Sequence, residues 1–257
     1  MKQAILAVSY GTTYEEALTN SVEALENDFR EAYPEYTVFR AFTGKRIMEA
    51  LRKKGIDIGS VEEVLAQLAR EGYEKVIVQP THIISGDEFD KIVAAAHAVA
   101  DRFGAVHVGA PLLDSAQDLE TLCRFYAERY AREGSALVLM GHGSGHEANR
   151  LYTDFADTCR ALKQENMFIA TLEATPCLED ILPRLRAKGY REVTIAPLLF
   201  VAGGHACRDM AGDEPTSWRS KLEAAGFSAT AVVKGMGEYP EVRVLYVKHL
   251  RDAVESN

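Results

Sequence analysis

"EEVLAQLAREGYEKVIVQPTHIISGDE", residues 62–88, and "EDILPRLRAKGYREVTIAPLLFVAGGH", residues 179–205, are one unit written twice. At an offset of 117, Gly72 faces Gly189, Tyr73 faces Tyr190, Val76 faces Val193, Pro80 faces Pro197 and Gly86 faces Gly203. Leu65 and Leu68 fall on Leu182 and Leu185, the inward stripe of a helix that precedes each apolar strand. A second offset, 132, lays "AILAVSYGTTY" (4–14) on "ALVLMGHGSGH" (136–146), so that Tyr10 corresponds to His142. Two βα domains related by duplication are the simplest account.

Working outward, short apolar runs bounded by Gly, Pro or Ser alternate with longer segments of helical period, the pattern of βα units on a parallel sheet. "AILAVS", "YTVFRAF", "KVIVQPTHI" and "AVHVGAPLL" are the strand candidates of the first half; "ALVLMGHG", "MFIATLEA", "EVTIAPLLF" and "ATAVVKG" are those of the second. The expected fold is therefore α/β, with two Rossmann-like domains each holding a four-stranded parallel sheet. "YAREGSA" at 130–136 sets the expected boundary, giving domains 1–130 and 131–257. The final helix, opened by Pro240, can pack on either half.

The chain has 257 residues, 47% hydrophobic and 26% charged, which is the composition of a folded globular protein. Its formal net charge of −9 argues against nucleic acid or an anionic membrane as a partner, because both need a basic face. A small molecule or a metal cation fits better. Cys123, Cys159, Cys177 and Cys207 form no C-x-x-C pair, so neither a zinc knuckle nor a disulfide framework is expected. "MKQAILAVSYGTTYEEA" lacks the apolar region and cleavage site of a signal peptide, and no run reaches the roughly 20 apolar residues of a membrane span. A cytoplasmic protein is the expectation, and a homo-oligomer is compatible with it.

In open parallel sheets, ligands bind outside the carboxyl ends of the strands. In the second half those ends deliver His142 after "ALVLM", Glu173 after "MFIATL" and His205 after "EVTIAPLLFVAGG". The first half offers Tyr10 in place of His142, Thr43 near the level of Glu173, and Glu88 in place of His205, with His82 earlier in the same loop. The duplicate lacks histidine at both related positions, so the turns themselves do not demand it. A His/His/carboxylate set suits a borderline divalent ion such as Co²⁺, Fe²⁺, Ni²⁺ or Zn²⁺, and equally suits general base work.

Each residue also has a plainer reading. A histidine at a turn is more often a hydrogen-bonded structural residue, and Glu173 also fits a first-turn carboxylate ahead of "TPCLEDIL". His97 and His249 lie on helical stretches, His107 alternates within a strand, and all three read as structural. His146 reads either as a partner behind the ligands or as an exposed loop residue. Cys207, without a partner cysteine, reads as a packed thiol. "YGTT" is a weak phosphate signal, since no G-x-G-x-x-G or Walker pattern occurs at the strand-to-helix turns, and no G-x-S-x-G elbow is present.

Along essentially its whole length the sequence resembles the anaerobic sirohydrochlorin cobaltochelatases, of the ferrochelatase-like chelatase fold. The resemblance is carried, in order, by "VSYGTTYEEA", "RAFTGKRIMEALRKKGIDI", "QPTHIISGDEFDKI", "GAPLL", "LMGHGSGHEA", "ATLEATPCLEDIL" and "GGHACRDMAGDEPTSW". It implies two Rossmann-like domains with a tetrapyrrole cleft, and a metal lyase that inserts Co²⁺ into sirohydrochlorin with loss of two protons, on the route to cobalamin. It implies His142, Glu173 and His205 as metal ligands, His142 or His205 as proton acceptor, and Tyr10, His82 and Glu88 as substrate contacts. Cobalt is then a substrate and no organic cofactor is expected. Lys45, Arg46 and Arg208 are candidates for the substrate's carboxylates. Two alternatives accept the same ligand set: a ferrochelatase or nickel chelatase, and a non-catalytic carrier of tetrapyrrole or metal.

Overall fold

A computed structural model describes residues 2–256. Eight strands form along the chain: β1 (Gln3–Ser9), β2 (Thr37–Phe42), β3 (Lys75–Pro80), β4 (Ala105–Val108), β5 (Ala136–Gly141), β6 (Met167–Thr171), β7 (Glu192–Pro197) and β8 (Ser228–Ala231). The helices are α1 (Glu15–Ala17), α2 (Ala24–Ala32), α3 (Lys45–Arg52), α4 (Val61–Arg70), α5 (Asp87–His97), α6 (Ala116–Tyr130), α7 (Arg150–Ala161), α8 (Leu178–Ala187), α9 (Trp218–Ala224) and α10 (Pro240–Glu255). Two π-helical stretches, Leu18–Glu23 and His205–Met210, occur one in each half. All the expected strands form, and they make two four-stranded sheets, ordered β2-β1-β3-β4 and β6-β5-β7-β8, parallel throughout.

Why these runs become strands follows from their burial. β1 and β5 are apolar without alternation, and almost every residue in them is buried, as a central strand covered by helices on both faces requires. The edge strands β4 and β8 are short and only partly buried. Helix starts are set by side chains: Ser60 with Glu63, and Ser115 with Asp118, form reciprocal capping boxes on α4 and α6. Leu65 and Leu68 on α4, and Leu185 on α8, are fully buried, with Leu182 packed partly buried beside them in the second core. The duplication therefore survives as two separate cores of matching design.

The chain divides into two compact units. One contains the residues up to Asp114 together with those from Gly237 onward; the other is Ser115–Met236. This division lies ahead of α6, whereas the loop "YAREGSA" follows it, because α6 packs against α7 in the second unit. α10 joins the first unit, where its apolar stripe of Val242, Leu245, Tyr246, Leu250 and Ala253 is buried. The Tyr246 hydroxyl donates to the Thr81 carbonyl at 3.0 Å, Arg243 pairs with Asp28 at 2.6 Å, and Lys75 donates to the Val254 carbonyl. No described helix is long and apolar enough to cross a membrane.

In each sheet the chain runs from the second strand in the order to its outer neighbour, then returns to the other side. The order thus reverses between β1 and β3, and between β5 and β7. Such reversal points are where the crossing connections separate and leave room at the carboxyl ends of the strands. His142 follows β5 and His205 lies beyond β7, so both histidines come from the pair of strands that flank the reversal.

Candidate metal and macrocycle site

Gly141 ends β5, and a Cβ there would run into the Tyr152 ring from α7. The Tyr152 hydroxyl is buried beside the backbone of His142 and Gly143, and burial pushes it up to about 12 against the opposing pull of those two peptide groups. Gly143 takes φ +86°, a left-handed conformation open to glycine, and its Cα lies so close to Thr171 and the Ala174 backbone that a Cβ would sit at 2.8–2.9 Å from them. The turn is thereby locked against the end of β6. Glu173 N–H donates to the His142 carbonyl at 2.9 Å, and Asn149 ties the two loops by accepting from Ser144 N–H and donating to the Thr175 carbonyl. His142 and Glu173 are therefore brought together by backbone pairing that continues past β5 and β6.

The side chains converge. His142 Nε2 is 3.7 Å from Glu173 Oε1, and the His142 and His205 rings meet edge-to-face with centroids 5.0 Å apart. His142 Nδ1 lies 2.9 Å from the Gly143 carbonyl, and His205 Nδ1 lies 2.7 Å from Asp209 Oδ2. Both partners accept only, so each ring donates from Nδ1, and in the neutral form of such a ring the lone pair lies on Nε2. This is the form in which histidine binds a metal or takes up a proton. Both histidine side chains are 44% exposed and that of Glu173 is 62% exposed, so an ion from solvent can reach them. Among the described residues, no three His, Cys, Asp or Glu side chains are closed around a position that would hold an ion as they stand.

Several alternatives weighed on the sequence are decided by position. α8 begins at Leu178 behind Cys177, so Glu173 belongs to the preceding loop and caps nothing. His146 is an N-cap: its Nδ1 accepts from Ala148 N–H at 3.1 Å. The Cys207 thiol points at the Ala202 carbonyl and burial pushes it up, so it is a packed thiol. All four cysteines are free. Thr12 of "YGTT" is buried and accepts from Tyr14 N–H, which makes the turn self-contained. His97 is exposed on α5, His107 half-buried on β4, and His249 buried in α10.

In the first unit, Tyr10, His82 and Glu88 gather at the equivalent edge. Tyr10 is half-exposed and its carbonyl accepts from Gly44 N–H, while its ring lies against Gly44. His82 Nε2 is 3.5 Å from the Thr43 hydroxyl, and its Nδ1 is buried without a hydrogen-bond partner. Burial lowers its imidazole to about 4, with Glu88 opposing. Glu88 pairs with Lys91 at 2.5 Å and holds that ammonium above the usual lysine range.

Two residues of the second-unit site had no sequence signal. Asp209 meets His205 one turn along the helical stretch 205–210, and Tyr152 reaches the His142 turn through the packing of α7. A cavity of about 180 Å³ beside Arg160, Glu165, Met167, Arg184 and Lys188 lies at the opposite, amino-terminal end of β6. Its cations are engaged: Arg160 with Asp157, Lys188 with Glu165, and Arg184 over the Phe168 ring.

Solved structures share this fold. SirB from Bacillus subtilis, determined with Fe³⁺, superposes with a TM-score of 0.65 at 17% identity, covering 99% of this chain and 96% of that one. CbiX, the terminal enzyme for biosynthesis of siroheme in denitrifying bacteria, gives 0.53 at 17% identity, covering 97% and 99%. The fold is that of the chelatases. Sequence comparison narrows it further, since residues 3–255 match the cobalt chelatase (CbiK) family, and the chain belongs to that family. Sirohydrochlorin cobaltochelatase of Salmonella typhimurium is 36% identical over 257 residues, covering 99% of this chain and 97% of that protein. Sirohydrochlorin cobaltochelatase CbiKC of Nitratidesulfovibrio vulgaris is 36% identical over 265 residues, covering 99% and 92%.

Proposed function

We propose that this chain is a sirohydrochlorin cobaltochelatase, a metal lyase that inserts Co²⁺ into sirohydrochlorin and releases two protons. The observation that carries the reading within the family is the pair of imidazoles at the strand-order reversal, each with Nδ1 tied to an acceptor, and the Glu173 carboxylate 3.7 Å from His142 Nε2. His142, His205 and Glu173 hold the incoming ion. Imidazole nitrogen and carboxylate oxygen together suit a borderline divalent cation, and the carboxylate offsets part of the cost of holding a dication away from bulk water. Because the three are half-exposed and not closed around the ion, they can also give it up. The pyrrole nitrogens replace them as ligands as the two N–H protons leave: one goes to the Nε2 of His142 or His205 that the metal vacates, the other to water, and the imidazolium then returns its proton to solvent.

Tyr10, His82 and Glu88 are the proposed contacts of the macrocycle in the first unit. The support is chemical: an exposed aromatic ring, a neutral imidazole with an unpartnered nitrogen, and a carboxylate, all at one sheet edge. Lys45, Arg46 and Arg208 make no ion pair among the described residues, which leaves their charges for a polycarboxylate substrate. A cytoplasmic setting agrees with four free thiols.

Mixing the protein with sirohydrochlorin and Co²⁺ and following the macrocycle's absorbance tests the reading. Conversion of many equivalents per protein is expected. A spectral change that stops at one equivalent identifies a carrier instead, and faster turnover with Fe²⁺ or Ni²⁺ would reassign the metal. His205→Ala is expected to abolish insertion while leaving the far-ultraviolet circular dichroism unchanged; normal turnover by that variant removes His205 from the site.

A further inference from the structure

We infer that Asp209 is a positioning residue for metal capture: it holds the His205 ring with the proton on Nδ1, so that the Nε2 lone pair faces the ion. The inference rests on the proposed role of His205 as a ligand. Its first support is the contact itself, 2.7 Å from His205 Nδ1 to Asp209 Oδ2. A carboxylate has no proton to give at neutral pH, so the shared hydrogen belongs to the imidazole. A metal-binding histidine whose other nitrogen donates to a carboxylate is oriented and fixed in tautomer by that bond.

A second support is how the chain places the pair. His205 and Asp209 are four residues apart in a π-helical stretch, a geometry that is uncommon in proteins and recurs at functional sites. Duplication supplies the third. The residue 117 positions before His205 is Glu88, and 117 before Asp209 is Ile92. Ile92 is buried in the first core, on an ordinary α-helix. The fold thus accepts an apolar residue at this place, and the carboxylate accompanies the histidine only where the histidine is present.

The two histidines differ in what holds them. His142 is tied to a backbone carbonyl in a turn locked by Gly143, whereas the equally exposed His205 is tied by a side chain. Without Asp209 the ring can rotate about its Cβ–Cγ bond, and the proton can settle on Nε2, where the metal should bind. Both changes weaken metal capture and leave macrocycle binding alone.

The test uses the full chain, labelled with nitrogen-15, in mildly alkaline buffer. Long-range proton–nitrogen correlation spectra report which ring nitrogen of His205 is protonated, and titration with Co²⁺ alone reports affinity. The parent protein is expected to show His205 protonated at Nδ1. Asp209→Ala is expected to shift the proton to Nε2 and to weaken Co²⁺ binding roughly 10–100-fold. Insertion should fall by a similar factor at low Co²⁺, recover at high Co²⁺, and show an unchanged KM for sirohydrochlorin. Asp209→Asn, whose amide oxygen still accepts, is expected to keep the Nδ1–H form and most of the affinity, and it serves if the alanine variant does not fold.

The inference is overturned by a parent protein protonated at Nε2, or by an alanine variant with unchanged tautomer and affinity. Equal loss in the asparagine and alanine variants with the tautomer intact would make Asp209 a ligand, which also overturns it. His205→Ala separates the two levels: if that variant binds Co²⁺ like the parent, the metal site itself was misassigned. If it loses Co²⁺ while Asp209→Ala does not, only the positioning role fails.

Discussion

His82 and His205 are both imidazoles at the carboxyl edge of a parallel sheet, and their surroundings suit them to different uses. The His205 side chain is 44% exposed; His82 is enclosed, with Nδ1 buried and its imidazole lowered to about 4. A neutral His82 in the folded chain meets an unfolded chain whose histidine titrates near 6.5. Above that value neither state is protonated there, and the site costs nothing. As pH falls toward 4 the unfolded chain takes up a proton that the folded chain refuses, so stability is lost across that window. The loss is at most about 3 kcal/mol. Urea unfolding at about pH 7 and about pH 5 should show a smaller difference for His82→Gln than for the parent; equal pH sensitivity would mean that His82 titrates normally.

At the scale of elements, the His142 turn is held by groups that do not touch a substrate. Tyr152→Phe removes the polar group buried against the His142–Gly143 backbone, which should cost about 1 kcal/mol in unfolding experiments. It should also lower the insertion rate several-fold without changing the KM for the macrocycle, since only the turn is loosened. Gly143→Ala forces a Cβ into Thr171 and Ala174 at a positive φ, so it should destabilise by about 1–3 kcal/mol and shift the loop that carries Glu173. The strands were legible in the sequence because an apolar run covered by helices on both faces has no other comfortable home. His142, Glu173 and His205 could be named as candidates because all three follow strand ends, and because the duplicate lacks histidine where His142 and His205 stand. Tyr152 and Asp209 were not. One is a core aromatic until its hydroxyl meets the turn, and the other sits at an i,i+4 spacing that nothing in the sequence marks as π-helical.

For the whole molecule, the decisive fact is that the two units are built from the chain differently. Ser115–Met236 is continuous, whereas the first unit closes only when α10 returns to it from the far end of the chain. The halves therefore share a sheet order but not the same dependence on the termini. α10 brings buried Val242, Tyr246 and Leu250, together with the Arg243–Asp28 pair and the Tyr246 bond to Thr81. Thr81 is the residue before His82, so the helix also supports the loop proposed to touch the macrocycle. Tyr246→Ala removes a fully buried aromatic ring and leaves the Thr81 carbonyl unpaired, and should destabilise the first unit by about 3–5 kcal/mol. Expressed alone, residues 115–236 should fold cooperatively, with helical circular dichroism and a single thermal transition. Residues 2–114 without α10 should not, until a peptide spanning 237–256 is added. Cooperative folding of 2–114 by itself would show that α10 is an accessory of the first unit and that the sheet and its own helices suffice.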